Sequence, residues 1–316
     1  MPIKNNIEIP EMSNKQHTLK CKYTFKGKGL HTGRNVTMTL EPAPVNHGIK
    51  FKRVDLGEDA VIDAVVDYVT TTARGTTLEK GEIKISTLEH LMATFSGLGV
   101  DNALVCIDAQ EVPILDGSAK PYVEEICKDG LVEQDAPRYY LELTDKIVYR
   151  NEKTGSEIII MPDDHFSVDL MIDYNSKVLG NQYARLDETT DFAKDIAPCR
   201  TFVFFHELEP LFKNNLIKGG DLDNAIVIVE HPVPQDELDR LAGVFNTSSL
   251  ERAPEGYLNH LELRFANECA RHKLLDIIGD FALVGCPIKA KVIGYKTGHG
   301  INTQLAKIIR EHVKKN

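Results

Sequence analysis

Hydrophobic and polar positions alternate from Lys20 to Arg53, in "KCKYTFKGKGLHTGRNVTMTLEPAPVNHGIKFKR". Period-two runs broken by glycine-containing turns predict antiparallel strands, most clearly in "VTMTLEPA" and "GIKFKRV". The period then changes. In "STLEHLMATFSGLGV", residues 86–100, Leu88, Leu91, Met92 and Phe95 recur at helical spacing. Ser86 or Thr87 can cap the start of that helix, and Gly97 or Gly99 can stop it. "DNALVCID" predicts a buried strand, and "DGSAKPYVEEICKDG" a turn followed by a second helix.

The order then repeats. "YYLELTDKIVYRNEKTGSEIIIMP" and "HFSVDLMIDY" read as hairpin-like strands, and "ANECARHKLLDIIGDFALVG" as a helix. "KAKVIGYKTG" is a strand and "INTQLAKIIREHVK" a closing helix. Each half runs from strands to helix, glycine, strand and helix. Each first helix starts near a charged residue followed by histidine, "EH" at 89–90 and "RH" at 271–272. The pattern predicts two α+β domains of like architecture whose helix starts face each other. The polar segment "EQDAPR", residues 133–138, is the expected boundary. It divides the chain into a polar extension (1–11), an N-terminal domain (12–134) and a C-terminal domain (138–316). The second half carries additions: the Phe- and Leu-rich "APCRTFVFFHELEPLFKNNLIKGGDLDNAIVIV" and a polar, irregular excursion over residues 231–259.

Composition narrows the function classes. The chain of 316 residues suits about two domains and can bury roughly three quarters of its unfolded surface. A net charge of -10 argues against a nucleic-acid or anionic-membrane binder, although a local basic pocket is compatible with it. No apolar run reaches about 18 residues, so no integral membrane segment is expected. The six cysteines form no CxxC pair and no disulfide framework. Free thiols and the absence of an apolar signal core at the N-terminus lead to the expectation of a cytoplasmic protein.

The candidate chemistry begins on the helix after Ala266. At about 100° per residue, His272, Asp276 and Asp280 fall within an arc of about 80°, with Lys273 beside them. Leu274, Leu275, Ile277, Ile278 and Phe281 occupy the other side. A solvated face on an amphipathic helix is one account of this stripe. The other is a metal site, because side chains at i and i+4 are neighbours and imidazole with carboxylate suits zinc. A catalytic zinc takes three protein ligands and keeps one position open, which makes His90 the third candidate. Glu89 next to it is placed to take a proton from water.

His299 lies between two glycines in "GYKTGHGIN". It reads either as a turn residue or as a cation on a close-approach loop, able to stabilise an oxyanion or protonate a leaving amine. Thr201 could donate to the same oxyanion, or be an ordinary strand threonine. Phe202, Phe204, Phe205, Leu211, Phe212 and Leu216 are either core or the wall of an apolar channel, and periodicity does not choose. Asp116 and His31 read as turn residues. "GKGLHTG" does not fit the dinucleotide-binding glycine pattern, and no HExxH is present.

Several of these segments occur together in one known family. "STLEHLMATFSGLGVDNALV", "AQEVPILDGSA", "KGGDLDNAIV", "RHKLLDIIGD" and "GYKTGHGIN" closely resemble the UDP-3-O-acyl-N-acetylglucosamine deacetylases of lipid A biosynthesis, from about Thr18 to Ile309. The resemblance implies two domains, each a layered β-α-α-β sandwich, with the active site between them. It implies zinc on His90, His272 and Asp276; a two-histidine, one-aspartate set by itself also accepts iron(II), so availability in the cell decides between them. It assigns Glu89 as general base, His299 as catalytic cation, Asp280 as its orienting carboxylate and Thr201 as oxyanion donor. Lys273 becomes a basic residue at the substrate site, and Phe202 opens the insert that forms an acyl-chain passage. The implied reaction is hydrolysis of the acetamide of a UDP-linked, 3-O-acylated amino sugar, releasing acetate.

The chain departs from the family in places. The excursion at 231–259 is longer than is typical, and "ANECA", residues 266–270, is less acidic than usual. Some relatives are fused to a 3-hydroxyacyl-carrier-protein dehydratase domain, and this chain is compatible with being half of such a fusion. The competing readings are a metal amidohydrolase of another N-acyl sugar and a non-catalytic nucleotide-sugar or lipid binder.

Overall fold

Two sheets of the same topology carry the duplication seen in the sequence. The structure is a computed structural model and describes residues 14–208, 218–244 and 249–313. The first sheet is built from β1 (Tyr23–Lys28), β2 (Asn35–Pro42), β3 (Ile49–Arg53), β4 (Val61–Asp63) and β5 (Ala103–Ile107), in the order β1-β2-β5-β3-β4. The second is built from β6 (Ile147–Asn151), β7 (Ser156–Pro162), β8 (Ser167–Asp173), β9 (Asn181–Leu186) and β10 (Ile288–Tyr295), in the order β6-β7-β10-β8-β9. Each sheet has a parallel pair in the same place: Phe51 opposite Val105 in the first, Leu170 opposite Gly294 in the second. A parallel pair needs a long crossover, and each crossover carries a helix. A two-residue strand, Leu141–Glu142, also runs parallel to β10.

Among the described residues the helices of ten or more residues are α1 (Glu89–Leu98), α2 (Lys120–Asp129), α3 (Gln235–Val244), α4 (Glu268–Ala282) and α5 (His299–Val313). The alternating strands bury one face: Met38, Leu40, Phe51 and Val105 in the first sheet, and Ile158, Ile160, Leu170 and Val292 in the second, are all fully buried. α1 and α4 pack on each other between those faces, and one continuous hydrophobic core runs through both units. Both helices are therefore buried nearly all round. A polar side chain on either one lies in the interior, where it must find a partner. The mixed α+β architecture agrees with the expectation from pattern.

Some local expectations are corrected. The polar residues 133–137 belong to a strand, Leu131–Pro137, which pairs with Lys15–Leu19. That strand is mostly exposed, so its composition reads like a connection. Neither Ser86 nor Thr87 caps α1 with its side chain; Leu88 stands at the cap without a side-chain hydrogen bond. Thr87 instead adopts φ 56° and donates its hydroxyl to Glu111 Oε1 at 3.0 Å. A β-branched residue in the left-handed region is strained, and Glu111 holds it there. Gly99, at φ 79°, ends the helix in the usual left-handed way. The excursion at 231–259 is not irregular throughout. α3 lies within it, and Leu238, Leu241, Ala242, Leu250 and Leu258 form a second small core with Val227 and Val229. Leu211, Phe212 and Leu216 lie outside the described residues. Among the described residues, no helix is long and apolar enough to cross a membrane.

Candidate metal centre

The start of α1 meets α4 at Gly279, in the C-terminal third of that helix. There a Cβ would lie 2.0 Å from the carbonyl oxygen of Glu89. Only a residue without a side chain permits that approach, and it brings His90 against His272 with ring centroids 4.9 Å apart, edge to face. Asp276, one turn after His272, completes the group. Its Oδ1 is 3.5 Å from His272 Nε2 and 3.8 Å from His90 Nε2. The three ligand atoms lie within 4.8 Å of one another, and all three residues are buried. Tetrahedral ligands about 2.0–2.1 Å from an ion stand roughly 3.4 Å apart, so the separations fit a small divalent cation. The stripe on α4 is not a wet face.

Protonation states agree with ligand duty. His272 Nδ1 lies 3.0 Å from the Cys199 carbonyl, which can only accept, so Nδ1 carries the proton and Nε2 keeps its lone pair. Burial, helped by the neighbouring His272, pushes His90 down to about 3, and burial also lowers His272. Burial thus favours the neutral form of both imidazoles. Burial alone would raise Asp276, but Lys273 and the nearby histidines outweigh it and hold the carboxyl well below its usual range. Lys273 Nζ donates to Asp276 Oδ2 at 2.8 Å, which leaves Oδ1 aimed between the histidines. Lys273 is thus joined to the Asp276 carboxylate, and its ammonium also lies 5.7 Å from the Phe202 ring centroid.

Glu89 and His299 face each other beside this group. Glu89 Oε1 is 3.9 Å from His299 Nε2, and His299 Nε2 is 3.8 Å from Asp276 Oδ2. Burial is the main cause that raises Glu89 to about 7. Burial would depress His299, yet Asp280, Asp276 and Glu89 together push it up to about 9. Read as a turn residue or a loop cation, His299 is in fact the first residue of α5. Its Nδ1 donates to Asp280 Oδ2 at 3.0 Å, and Asn302 Nδ2 donates to the same oxygen at 2.8 Å. Asp280 is fully buried, which accounts for so complete a set of donors.

Thr201 leaves the same segment as Cys199. Its N–H donates to the Gly117 carbonyl and its carbonyl accepts from Ile226, each at 2.8 Å. Just before it, Arg200 forms a buried ion pair with Glu268, which opens α4. Phe202 lies beside His272, centroids 6.4 Å apart, and also meets Tyr174 and Phe204 edge-on. Phe205 turns the other way, into the second core. Asp116 turns the chain by accepting from Ser118 and pairs with Arg264 at 3.0 Å. The His31 N–H donates to Glu111 Oε1 at 2.9 Å, in the loop that Glu111 holds against Thr87. The sequence reading missed Thr76, Asn302 and Glu111. Asn302 could have been found, since it stands one helical turn after His299; the other two carry no local signal.

A separate cavity of about 2120 Å³ opens at the far ends of α1 and α4, lined by Phe95, Gly97, Phe192, Phe281 and Arg310 among others. None of the candidate site residues lines it.

Comparison with known proteins agrees with the resemblance. The family model described as "UDP-3-O-acyl N-acetylglycosamine deacetylase" (LpxC) matches residues 16–245 and 241–311. The bifunctional enzyme LpxC/FabZ of Bacteroides thetaiotaomicron is 48% identical over 300 residues, covering 95% of this chain and 65% of the relative. The chain therefore spans slightly under two thirds of that relative's length. The UDP-3-O-acyl-N-acetylglucosamine deacetylase of Methylococcus capsulatus is 42% identical over 294 residues, 92% of this chain and 88% of its own. That of Teredinibacter turnerae is 39% identical over 306 residues, 95% and 91%. With nearly the whole chain matched by the family model and by full-length relatives, this protein belongs to the UDP-3-O-acyl N-acetylglycosamine deacetylase family.

Proposed function

We propose that this chain is a zinc-dependent deacetylase that hydrolyses the acetamide of UDP-3-O-(3-hydroxyacyl)-N-acetylglucosamine, releasing acetate in lipid A biosynthesis. One observation carries this reading: a buried two-histidine, one-aspartate group with a carboxylate and an imidazole facing each other at its edge. His90, His272 and Asp276 would hold the ion. A divalent ion held there would supply Lewis acidity, making water easier to deprotonate near neutral pH and a carbonyl more open to attack.

The chain's own residues do the rest. Glu89 Oε1 takes the proton of the attacking water, since Oε2 already accepts from the Thr76 N–H at 3.0 Å. Burial keeps that carboxylate basic enough to act near neutral pH. His299 is held protonated through Asp280 and supplies positive charge and a proton from Nε2. The carbonyl carbon gains the water oxygen, the C–N bond breaks, and the nitrogen leaves as the sugar amine. Thr201 is assigned the oxyanion donor. Lys273 lies at the substrate side, and Phe202 with Tyr174 and Phe204 begins the apolar wall for the acyl chain.

Iron(II) accepts the same donor set, so metal analysis of protein purified without added metal decides the ion. The bifunctional names of the Bacteroides and Porphyromonas relatives support a place for this chain in a fusion with a dehydratase domain. The mass of the native protein tests that arrangement.

The test of function measures metal content and acetate release for the wild type and His272→Ala. Near one metal per chain, with turnover lost in the variant, is the expected result. Metal without turnover points to another N-acyl sugar or to a binding protein. Neither metal nor turnover overturns the proposal.

A further inference from the structure

The two groups assigned to proton transfer come from different units. Glu89 opens α1 of the first unit; Asp280 and His299 stand on α4 and α5 of the second. One residue touches both sides. The backbone N–H of Thr76 donates to Glu89 Oε2 at 3.0 Å, and its hydroxyl donates to Asp280 Oδ1 at 2.6 Å. Thr76 is completely buried, so neither contact is shared with solvent. It precedes the strand Thr77–Lys80, and its carbonyl accepts from the Thr87 N–H at 3.0 Å, which ties it to the turn that launches α1.

These contacts divide each carboxylate into a fixed oxygen and a working one. Glu89 Oε2 is held by Thr76, while Oε1 faces His299 Nε2. Asp280 Oδ1 is held by Thr76, while Oδ2 accepts from His299 and Asn302. A carboxylate with one oxygen free could rotate about its terminal torsion, which is broad and soft. With Thr76 in place, rotating either carboxylate breaks a buried hydrogen bond.

We propose that Thr76 is a positioning residue for the hydrolysis, fixing the spacing between Glu89 of one unit and the Asp280–His299 pair of the other. The proposal rests on the functional reading above. It assigns the hydroxyl a role through Asp280 and needs no direct contact with substrate.

The experiment uses Thr76→Val, which keeps shape and backbone but removes the hydroxyl, and Thr76→Ser, which restores it. The first readout does not depend on activity. In ¹⁵N-histidine-labelled protein, the His299 Nδ1–H resonance should shift or broaden in Thr76→Val and return in Thr76→Ser. The second readout is kinetic. kcat should fall by about tenfold or more in Thr76→Val, as a misplaced reacting group implies. KM and metal content should stay within about twofold of the wild type, and Thr76→Ser should recover most of kcat. In an Asp280→Asn background, Thr76→Val should cost little more, because residues acting as one unit are non-additive. Wild-type kcat and an unmoved His299 signal in Thr76→Val overturn the proposal. So does a loss that Thr76→Ser fails to rescue, or one that adds fully to Asp280→Asn, since either marks a merely structural threonine. An inactive wild type with the His299 signal still governed by Thr76 would instead refute the deacetylase reading while leaving the coupling of Thr76 to the Asp280–His299 pair intact.

Discussion

Gly279 on α4 lies under Glu89 on α1 so closely that a Cβ on Gly279 would stand 2.0 Å from the Glu89 carbonyl oxygen. The atom in the way is backbone, which cannot swing aside. Gly279→Ala should therefore push the two helices apart despite alanine's better helix propensity of roughly 1 kcal/mol. Overpacking of this kind costs about 1–3 kcal/mol. The expected outcome is a melting temperature lower by several degrees together with weaker metal retention, read by calorimetry and metal analysis. An unchanged melting temperature with full metal content would mean that the helix crossing is not constrained as described.

Removing the metal should remove the activity reversibly. Dialysis against a chelator should abolish acetate release, and added zinc should restore it. An ion bound by the folded chain alone should, at about 100 times Kd, raise stability by about 2.7 kcal/mol. Asp276→Ala should abolish that increment, because it deletes the carboxylate that faces both histidines. Equal melting curves with and without zinc would argue against a structured site.

The pH dependence follows from the two facing groups. Glu89 must be deprotonated to accept, so kcat/KM should rise as pH rises through its range, near about 7 in the absence of metal. His299 must be protonated, so kcat/KM should fall as pH rises through about 9. A bound cation favours the deprotonated form of each, so both limbs should lie at or below those values. His299→Ala should lose the alkaline limb and Glu89→Ala should lose about 10²–10⁴ in rate. A profile flat across the alkaline range in the wild type would falsify the assignment of His299.

The Arg200–Glu268 pair should be the most sensitive structural contact near the site. Glu268 is fully buried and accepts from the Arg200 backbone and guanidinium and from the Arg264 N–H. Glu268→Ala leaves the Arg200 charge buried without its partner, which costs about 3–5 kcal/mol. Urea unfolding of that variant checks the figure. A loss under about 1 kcal/mol would show that water reaches Arg200 and that the pair does not anchor the start of α4.

How much of this was legible depends on the range of each interaction. The alternation around "VTMTLEPA" and the helical spacing of Leu88, Leu91, Met92 and Phe95 report local burial, so the two repeats of strands and helices could be read directly. His272, Asp276 and Asp280 share one helix, and their common face follows from periodicity alone. The quoted motifs further carried the family, and with it the partner residues His90, Glu89 and His299. The polar strand 131–137 was not legible, because an exposed ribbon has no buried face to impose a period. Helix α3 sat unread in the excursion because its small apolar stripe buries against a satellite core formed by distant residues.

The sequence by itself determined the repeated α+β pattern, the amphipathic segments and the chemical types available to a site. Whether the stripe on α4 faced water or the interior was a question of what packs against it, and only the tertiary structure decided that. α1 crosses α4 at Gly279, buries the stripe and brings His90 to His272 and Asp276. Thr76 reaches Glu89, 13 positions away in its own unit, and Asp280, 204 positions away across the boundary between the units. Contacts of that separation leave no periodic trace, because the hydrophobic pattern records only whether a position is buried and not which neighbour buries it.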